Sequence, residues 1–155
     1  MVPVPPTRQY KPPEFPGLED RLLVVYDGYC GFCNRSIRWF IKRDPHNRLR
    51  FAPSESPQVA ALLGRFNFGA LSPNTLLVVI HAGMPEERLL TRSTGIAAML
   101  HELPKPWPAF GAALMLIPRP LRDLGYRFVA RVRYKIRGKY ASCPLPTPAE
   151  RRHFL

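Results

Sequence analysis

Cys30-Gly31-Phe32-Cys33 sets two thiols two residues apart. That spacing suits a dithiol that opens and closes as a disulfide, and equally half of a zinc site. In either case the ionised sulfur does the work, as nucleophile or as ligand. Asp27 stands three residues ahead of Cys30. Its carboxylate can shape the loop by accepting backbone N–H groups in an Asx-turn, or can take the proton of Cys33 when that thiol must ionise. Tyr29 and Phe32 are candidate rims of an apolar docking surface, with core packing the alternative for Phe32. Cys143 precedes Pro144 in a loop-like tail, either as a third redox or ligating sulfur or as a packed thiol. His46, His81, His101 and His153 stand at no zinc-knuckle spacing, so the metal signal is weak.

The hydrophobic pattern supplies the elements that must position these groups. Leu22-Leu23-Val24-Val25-Tyr26 reads as a buried strand, and a helix follows the thiols to about Arg43. Cys33, Ile37, Phe40 and Ile41 share one face of that helix, and Arg35, Arg38 and Lys42 share a wet one. Cys30 then falls at the helix N-terminus, where free N–H groups and the macrodipole favour a thiolate. Cys33, one turn further in, is expected to be the less exposed sulfur.

Beyond Asp44-Pro45, a helix stop, residues 48–52 alternate as a second strand and residues 56–63 read as a helix. A strand over 75–80 turns through Ala82-Gly83-Met84-Pro85 into a hairpin partner over 88–91. Ser93 or Thr94 is then expected to cap a helix whose Ile96, Met99, Leu100 and Leu103 line one face. A short apolar helix over 109–117 precedes a longer one over 121–136. In the latter, Leu121, Leu124, Phe128, Val132 and Ile136 are the expected core face, with Arg127, Arg131, Lys135 and Lys139 on another. The order β-α-β-α-β-β-α, with the thiols after the first strand, is that of an α/β thioredoxin-like fold. The expected organisation is a Pro-rich, disordered lead-in over 1–19, a thioredoxin-like core over 20–104, and a helical basic C-terminal extension over 105–155 packed on that core.

Composition narrows the class. The chain has 155 residues, enough for one domain with a real core. Three cysteines are too few, and odd in number, for a disulfide-stapled secreted scaffold. Met1 to Pro16 holds six prolines and no apolar core of a signal peptide, so a cytoplasmic, reducing compartment is expected. The formal net charge is +12, and residues 119–139 carry eight Lys/Arg against one Asp. A basic helix over 121–139 suggests an anionic partner or membrane surface. Nucleic acid is disfavoured, because no recognised nucleic-acid motif or interleaved aromatic pattern accompanies the charge. The apolar run from Trp107 to Ile117 is about half the ~20 residues needed to span a bilayer.

Asp27-Gly28-Tyr29-Cys30-Gly31-Phe32-Cys33-Asn34 resembles the D-G-x-C-x-x-C signature of the DCC family of thioredoxin-like thiol-disulfide oxidoreductases. Later blocks look similar too: Arg50-Phe51-Ala52-Pro53, Arg92-Ser93, Leu121-Arg122-Asp123, Tyr126…Ala130…Arg133-Tyr134, and the tail from Cys143 to Leu155. Val132 and Thr94-Gly95 depart from the family's usual residues. The resemblance implies a thiol-disulfide oxidoreductase of the protein-disulfide reductase type, with Cys30 as nucleophile and Cys33 as resolving thiol. It implies no organic cofactor, a protein or small-molecule disulfide as substrate, and a dithiol as electron donor. Thioredoxin-like folds often place a cis-proline opposite the dithiol, and Pro73 is the nearest candidate. The rival reading is a non-enzymatic module, redox-sensitive or zinc-binding, whose working surface is the basic C-terminal helix.

Overall fold

The structure is a computed structural model, and it describes residues 18, 20–65, 76–84, 86–138 and 145–155, with the backbone alone at 63, 65, 134 and 137. The Pro-rich lead-in up to residue 17, Pro73, Lys139 and Cys143 lie outside the described residues.

Five consecutive apolar residues make β1 (Leu22–Tyr26), and all five are buried. A strand buried on both faces reads as such a run, and β1 is accordingly central. It pairs in parallel with β2 (Leu49–Pro53) and antiparallel with β3 (Leu77–Ile80), which pairs antiparallel with β4 (Arg88–Thr91). The sheet order is β2-β1-β3-β4. Alternation along the strands sends Leu23, Val25, Leu77 and Val79 to one side, where Val59 and Leu62 of α2 (Pro57–Arg65) cover them. Leu22, Val24, Tyr26, Phe51 and Val78 face the other side. There they meet Ile37 of α1 (Gly31–Ile41) and Met99 of α3 (Arg92–Glu102). This mixed α/β arrangement is thioredoxin-like, and α4 (Trp107–Leu116) and α5 (Arg119–Arg137) are added to its α1/α3 side.

Leu18, expected within the disordered lead-in, is instead buried against Leu23 and Val25. Thr91, not Ser93 or Thr94, is the N-cap of α3. Ser93 lies inside the first turn, where its Oγ donates to Asp123 Oδ1 at 2.6 Å and ties α3 to α5. The buried residues of α3 are Ser93, Gly95, Ala97 and Met99, a broader set than one apolar face. The reason is that α3 is covered by the sheet on one side and by α4 on another. Contact with α4 is close because Gly111 has no side chain: a Cβ there would lie 2.9 Å from the Ala97 carbonyl oxygen.

The largest departure is in α5. Leu121, Leu124, Phe128 and Ile136, expected as its core face, are exposed, with Phe128 at 67%. The inward face is the opposite one, carrying Asp123, Tyr126, Ala130 and Arg133. Polar anchors hold it there. Tyr126 Oη accepts the Leu76 N–H at 2.8 Å, Asp123 binds Ser93, and Arg133 reaches Asp27. Each such bond to a part-buried group is lost if the helix rolls, so these contacts outweigh the apolar stripe.

The C-terminus closes the far edge of the sheet. Phe154 bridges to Phe51 in parallel, and the Leu155 N–H donates to the Phe51 carbonyl. Asp44 anchors the same corner: it accepts the N–H groups of Arg48 and Leu49 and faces His153 Nδ1 at 3.6 Å.

Candidate active site

The two cysteines stand where β1 hands over to α1, at the C-terminal edge of the central strand. Cys30 is the N-cap of α1, with extended φ/ψ of −80° and 118°. Its Sγ accepts the Cys33 N–H at 3.2 Å, doing with sulfur what a capping Ser or Asp does with oxygen. Both thiols are free.

Three neighbours shape the turn. Asp27, buried, accepts the Tyr29 N–H on Oδ1 at 3.0 Å, forming an Asx-turn. Asn34, also buried, donates from Nδ2 to the carbonyls of Gly28 at 2.8 Å and Cys30 at 2.9 Å, pinning the loop to the first turn of α1. The Gly31 N–H donates to the Gly138 carbonyl just past α5, which closes the turn from outside.

Arg133 joins the carboxylate to the dithiol. Its Nη2 lies 3.3 Å from Asp27 Oδ2, and its Nη1 lies 3.3 Å from Cys33 Sγ. Burial pushes the Cys33 thiol up to about 12, reinforced by its hydrogen bond with Cys30 and opposed by the Arg133 charge. Cys33 therefore holds its proton in the resting dithiol. Tyr126 is likewise raised by burial, while the hydrogen bond from Leu76 acts in the opposite sense.

Exposure of the sulfurs is the reverse of expectation. Cys30 is fully buried, and Cys33 is part-exposed. The reason is the surface onto which Cys33 opens: a cavity of about 630 Å³ between α1, α3 and α5 whose exposed surface is mostly apolar. Phe32, Ile96, Leu121 and Val129 are among its walls, and Arg133 and Cys33 are among the polar residues that line it. Phe32 thus lines a surface beside the dithiol, whereas the half-buried Tyr29 is outside this cavity. Arg35 and Lys42 are exposed, and Arg38 pairs with Glu150 at 3.4 Å. Pro73 and Cys143 lie outside the described residues, and among those described no three His, Cys, Asp or Glu side chains converge to hold a metal.

Arg133 and Asn34 stand within the stretches that resemble the family, but no role at the dithiol was expected of either. The signal for Arg133 was present as the i, i+4, i+7 series Tyr126, Ala130, Arg133, one face of a helix that includes a cation and a phenol. Asn34 directly follows Cys33, and nothing local distinguishes it from a solvent-facing helix residue.

A thioredoxin-like sheet with a free dithiol capping its first helix defines the thiol-disulfide class of protein. The chain belongs to the DCC1-like thiol-disulfide oxidoreductase family, whose model matches residues 24–139. It is similar to the uncharacterized protein YuxK of Bacillus subtilis, 29% identical over 133 residues, covering 86% of this chain and 93% of that protein. It is also similar to a chloroplastic DCC family protein of Arabidopsis thaliana, 25% identical over 127 residues, covering 82% of this chain and 71% of that protein. No solved structure matches it.

Proposed function

We propose that the protein is a protein-disulfide reductase in which Cys30 is the nucleophile and Cys33 the resolving thiol. The observation that carries this reading is the cap: Cys30 Sγ receives a helix-start N–H, while Cys33 is held as a neutral thiol. In the reductive direction the Cys30 thiolate attacks a substrate disulfide, forming a mixed disulfide and releasing one substrate thiolate. The Cys33 thiol then loses its proton and attacks Cys30 Sγ. The second substrate thiolate leaves, and the enzyme is left with a Cys30–Cys33 disulfide. Two electrons have passed to substrate, and a second dithiol must return them. No organic cofactor enters this cycle.

Formation of the mixed disulfide itself prepares the second step. With Cys30 bonded to substrate, its charge and its hydrogen bond no longer hold the Cys33 proton. Burial still opposes ionisation, and the Arg133 guanidinium 3.3 Å away favours it. Arg133 is thus a positioning residue for the resolving thiolate. Asp27 shapes the turn through Tyr29 and orients Arg133; in proton transfer it would receive the Cys33 proton. In this closed form Cys30 is sealed, so attack requires local opening of its turn. The direction of the reaction follows the redox poise of the compartment, and a reducing cytoplasm would favour reduction.

Two measurements test the reading. A Cys33→Ser variant should accumulate mixed disulfides at Cys30, and insulin should be reduced when a dithiol donor is present. A second reading has one observation in its favour, since Cys33 rather than Cys30 faces the cavity. It expects mixed disulfides trapped at Cys33 in a Cys30→Ser variant instead. No insulin reduction above background would favour a redox-sensitive interaction module. About one zinc per chain, lost with either cysteine, would favour the zinc-binding module.

A further inference from the structure

α4 and α5 present a surface that the described body of the protein leaves uncovered. From Trp107 to Ile117 there is no charged residue, and α4 is apolar on every side, yet its one buried residue is Gly111. A helix apolar all round is ordinarily enclosed. Here Phe110 and Met115 are at least half exposed, and Leu116 is 85% exposed. α5 continues the surface with Leu121, Leu124, Phe128 and Ile136. Among the described residues, every exposed large apolar side chain except Leu145 and Leu155 falls between positions 110 and 136. On α5, Leu121, Leu124, Phe128 and Ile136 share one side of the helix, and an exposed apolar stripe of that kind marks a partner or a membrane.

The charge beside it identifies which. Arg127, Arg131 and Lys135 follow one edge of the α5 stripe, each one position before Phe128, Val132 and Ile136, and Arg119 stands at the α4–α5 turn. The single acid in α5, Asp123, is held by Ser93 and by Arg119 at 3.7 Å. We propose that the α4–α5 face docks this protein onto an anionic phospholipid surface. The apolar side chains enter the headgroup boundary, and the flanking cations meet the lipid phosphates. The helices lie in the interface plane rather than cross it. α4 has 10 residues, about half of a bilayer span, and among the described residues no helix is long and apolar enough to cross. A second copy of the chain fits less well, because joining two such faces would bring their basic edges together on a molecule of net charge +12.

Docking would also orient the dithiol. Ile117, Leu121 and Val129 belong to the exposed face and line the cavity that meets Cys33. The membrane would then cover the mouth of that cavity. Docking itself does not rest on the redox reading, and it is measured separately from it.

The test is sedimentation of the full chain with phosphatidylcholine vesicles, alone or mixed with phosphatidylglycerol. Binding is expected to the mixed vesicles only, weakening as salt rises. Leu124→Asp with Phe128→Asp should lower binding by at least about 10-fold, since both side chains leave the lipid. Neither lines the cavity, so circular dichroism and insulin reduction should be unchanged. Arg127→Gln with Arg131→Gln and Lys135→Gln should flatten the salt dependence. Two results overturn the proposal: absence of binding to the anionic vesicles at low salt, or binding that survives Leu124→Asp with Phe128→Asp. A concentration-dependent dimer abolished by those two substitutions, without vesicle binding, would assign the face to a second copy.

Discussion

Arg133 and Asp27 are separated by 106 positions in the chain and meet as a buried ion pair, 3.3 Å between Nη2 and Oδ2, with side chains 5% and 3% exposed. The same guanidinium touches Cys33 Sγ, so one side chain of α5 connects the carboxylate at the end of β1 to the dithiol helix. A buried pair contributes little net stability by itself. Removing one member is costly, because the other is left charged and dry.

Arg133→Met should therefore destabilise the protein by about 3–5 kcal/mol, read by urea unfolding. Asp27→Asn in the same chain should recover part of that loss. Strict additivity of the two substitutions would show that the pair is not coupled. Arg133→Lys retains the charge without the fork that spans both partners. It should keep more of the stability while slowing the release of substrate from the mixed disulfide.

Thiol reactivity should split with pH. Because the Cys33 thiol is raised to about 12, it should resist iodoacetamide up to about pH 10, with Cys30 modified first. Mass-mapped alkylation rates check this, and equal rates at the two sites would sink the assignment. The sign for stability follows. An unfolded Cys33 would ionise at its ordinary value near 9.0 while the folded one stays neutral. Its contribution is thus complete below pH 9.0 and is lost as pH rises toward about 12. Unfolding free energy should fall over that range more steeply in the native chain than in Cys33→Ser.

Gly111→Ala should cost about 1–3 kcal/mol in spite of the better helix propensity of alanine. Its Cβ would meet the Ala97 carbonyl at 2.9 Å and Leu100 Cβ at 3.3 Å, and a backbone atom cannot step aside as a flexible side chain can. Thermal unfolding measures the effect. Gly125→Ala, with open space around its Cβ, is the control and should be neutral or slightly stabilising.

The C-terminal corner should carry an acid-sensitive term. Burial lowers the His153 pKa, and Asp44 beside it only partly offsets this. Below the ordinary value of 6.5 the unfolded chain takes up a proton that the folded chain resists. This contribution is present above pH 6.5 and is lost as pH falls through the lower folded value. The melting temperature should drop from about pH 7 to about pH 5 in the native chain. His153→Leu should flatten that limb, and an unchanged slope would place the acid sensitivity elsewhere.

Local order was legible from the residues because local patterns encode it. The run Leu22–Tyr26 gave a central strand, Cys30 fell at the start of α1, and residues 88–91 formed the hairpin partner of β3. Period-2 and period-3.6 spacing, with Gly and Pro as punctuation, carries that information over a few residues at a time. The chemistry of the dithiol was legible in the same way, as type and spacing.

What the sequence could not determine is how the helices face one another. The apolar stripe of α5 satisfied every rule for a core face, yet Leu121, Leu124, Phe128 and Ile136 are exposed and Val132 is only half-buried. Periodicity shows that a helix has two unlike sides, not which of them meets the body. Only the tertiary structure decided this, through Tyr126 with Leu76, Asp123 with Ser93, and Arg133 with Asp27. It also decided which sulfur is open, by sealing Cys30 and giving Cys33 an apolar cavity. These outcomes depend on pairs far apart along the chain, whose energies exist only after the elements are placed. The sequence by itself determined a dithiol at a strand-to-helix turn, and packing determined what surrounds each thiol.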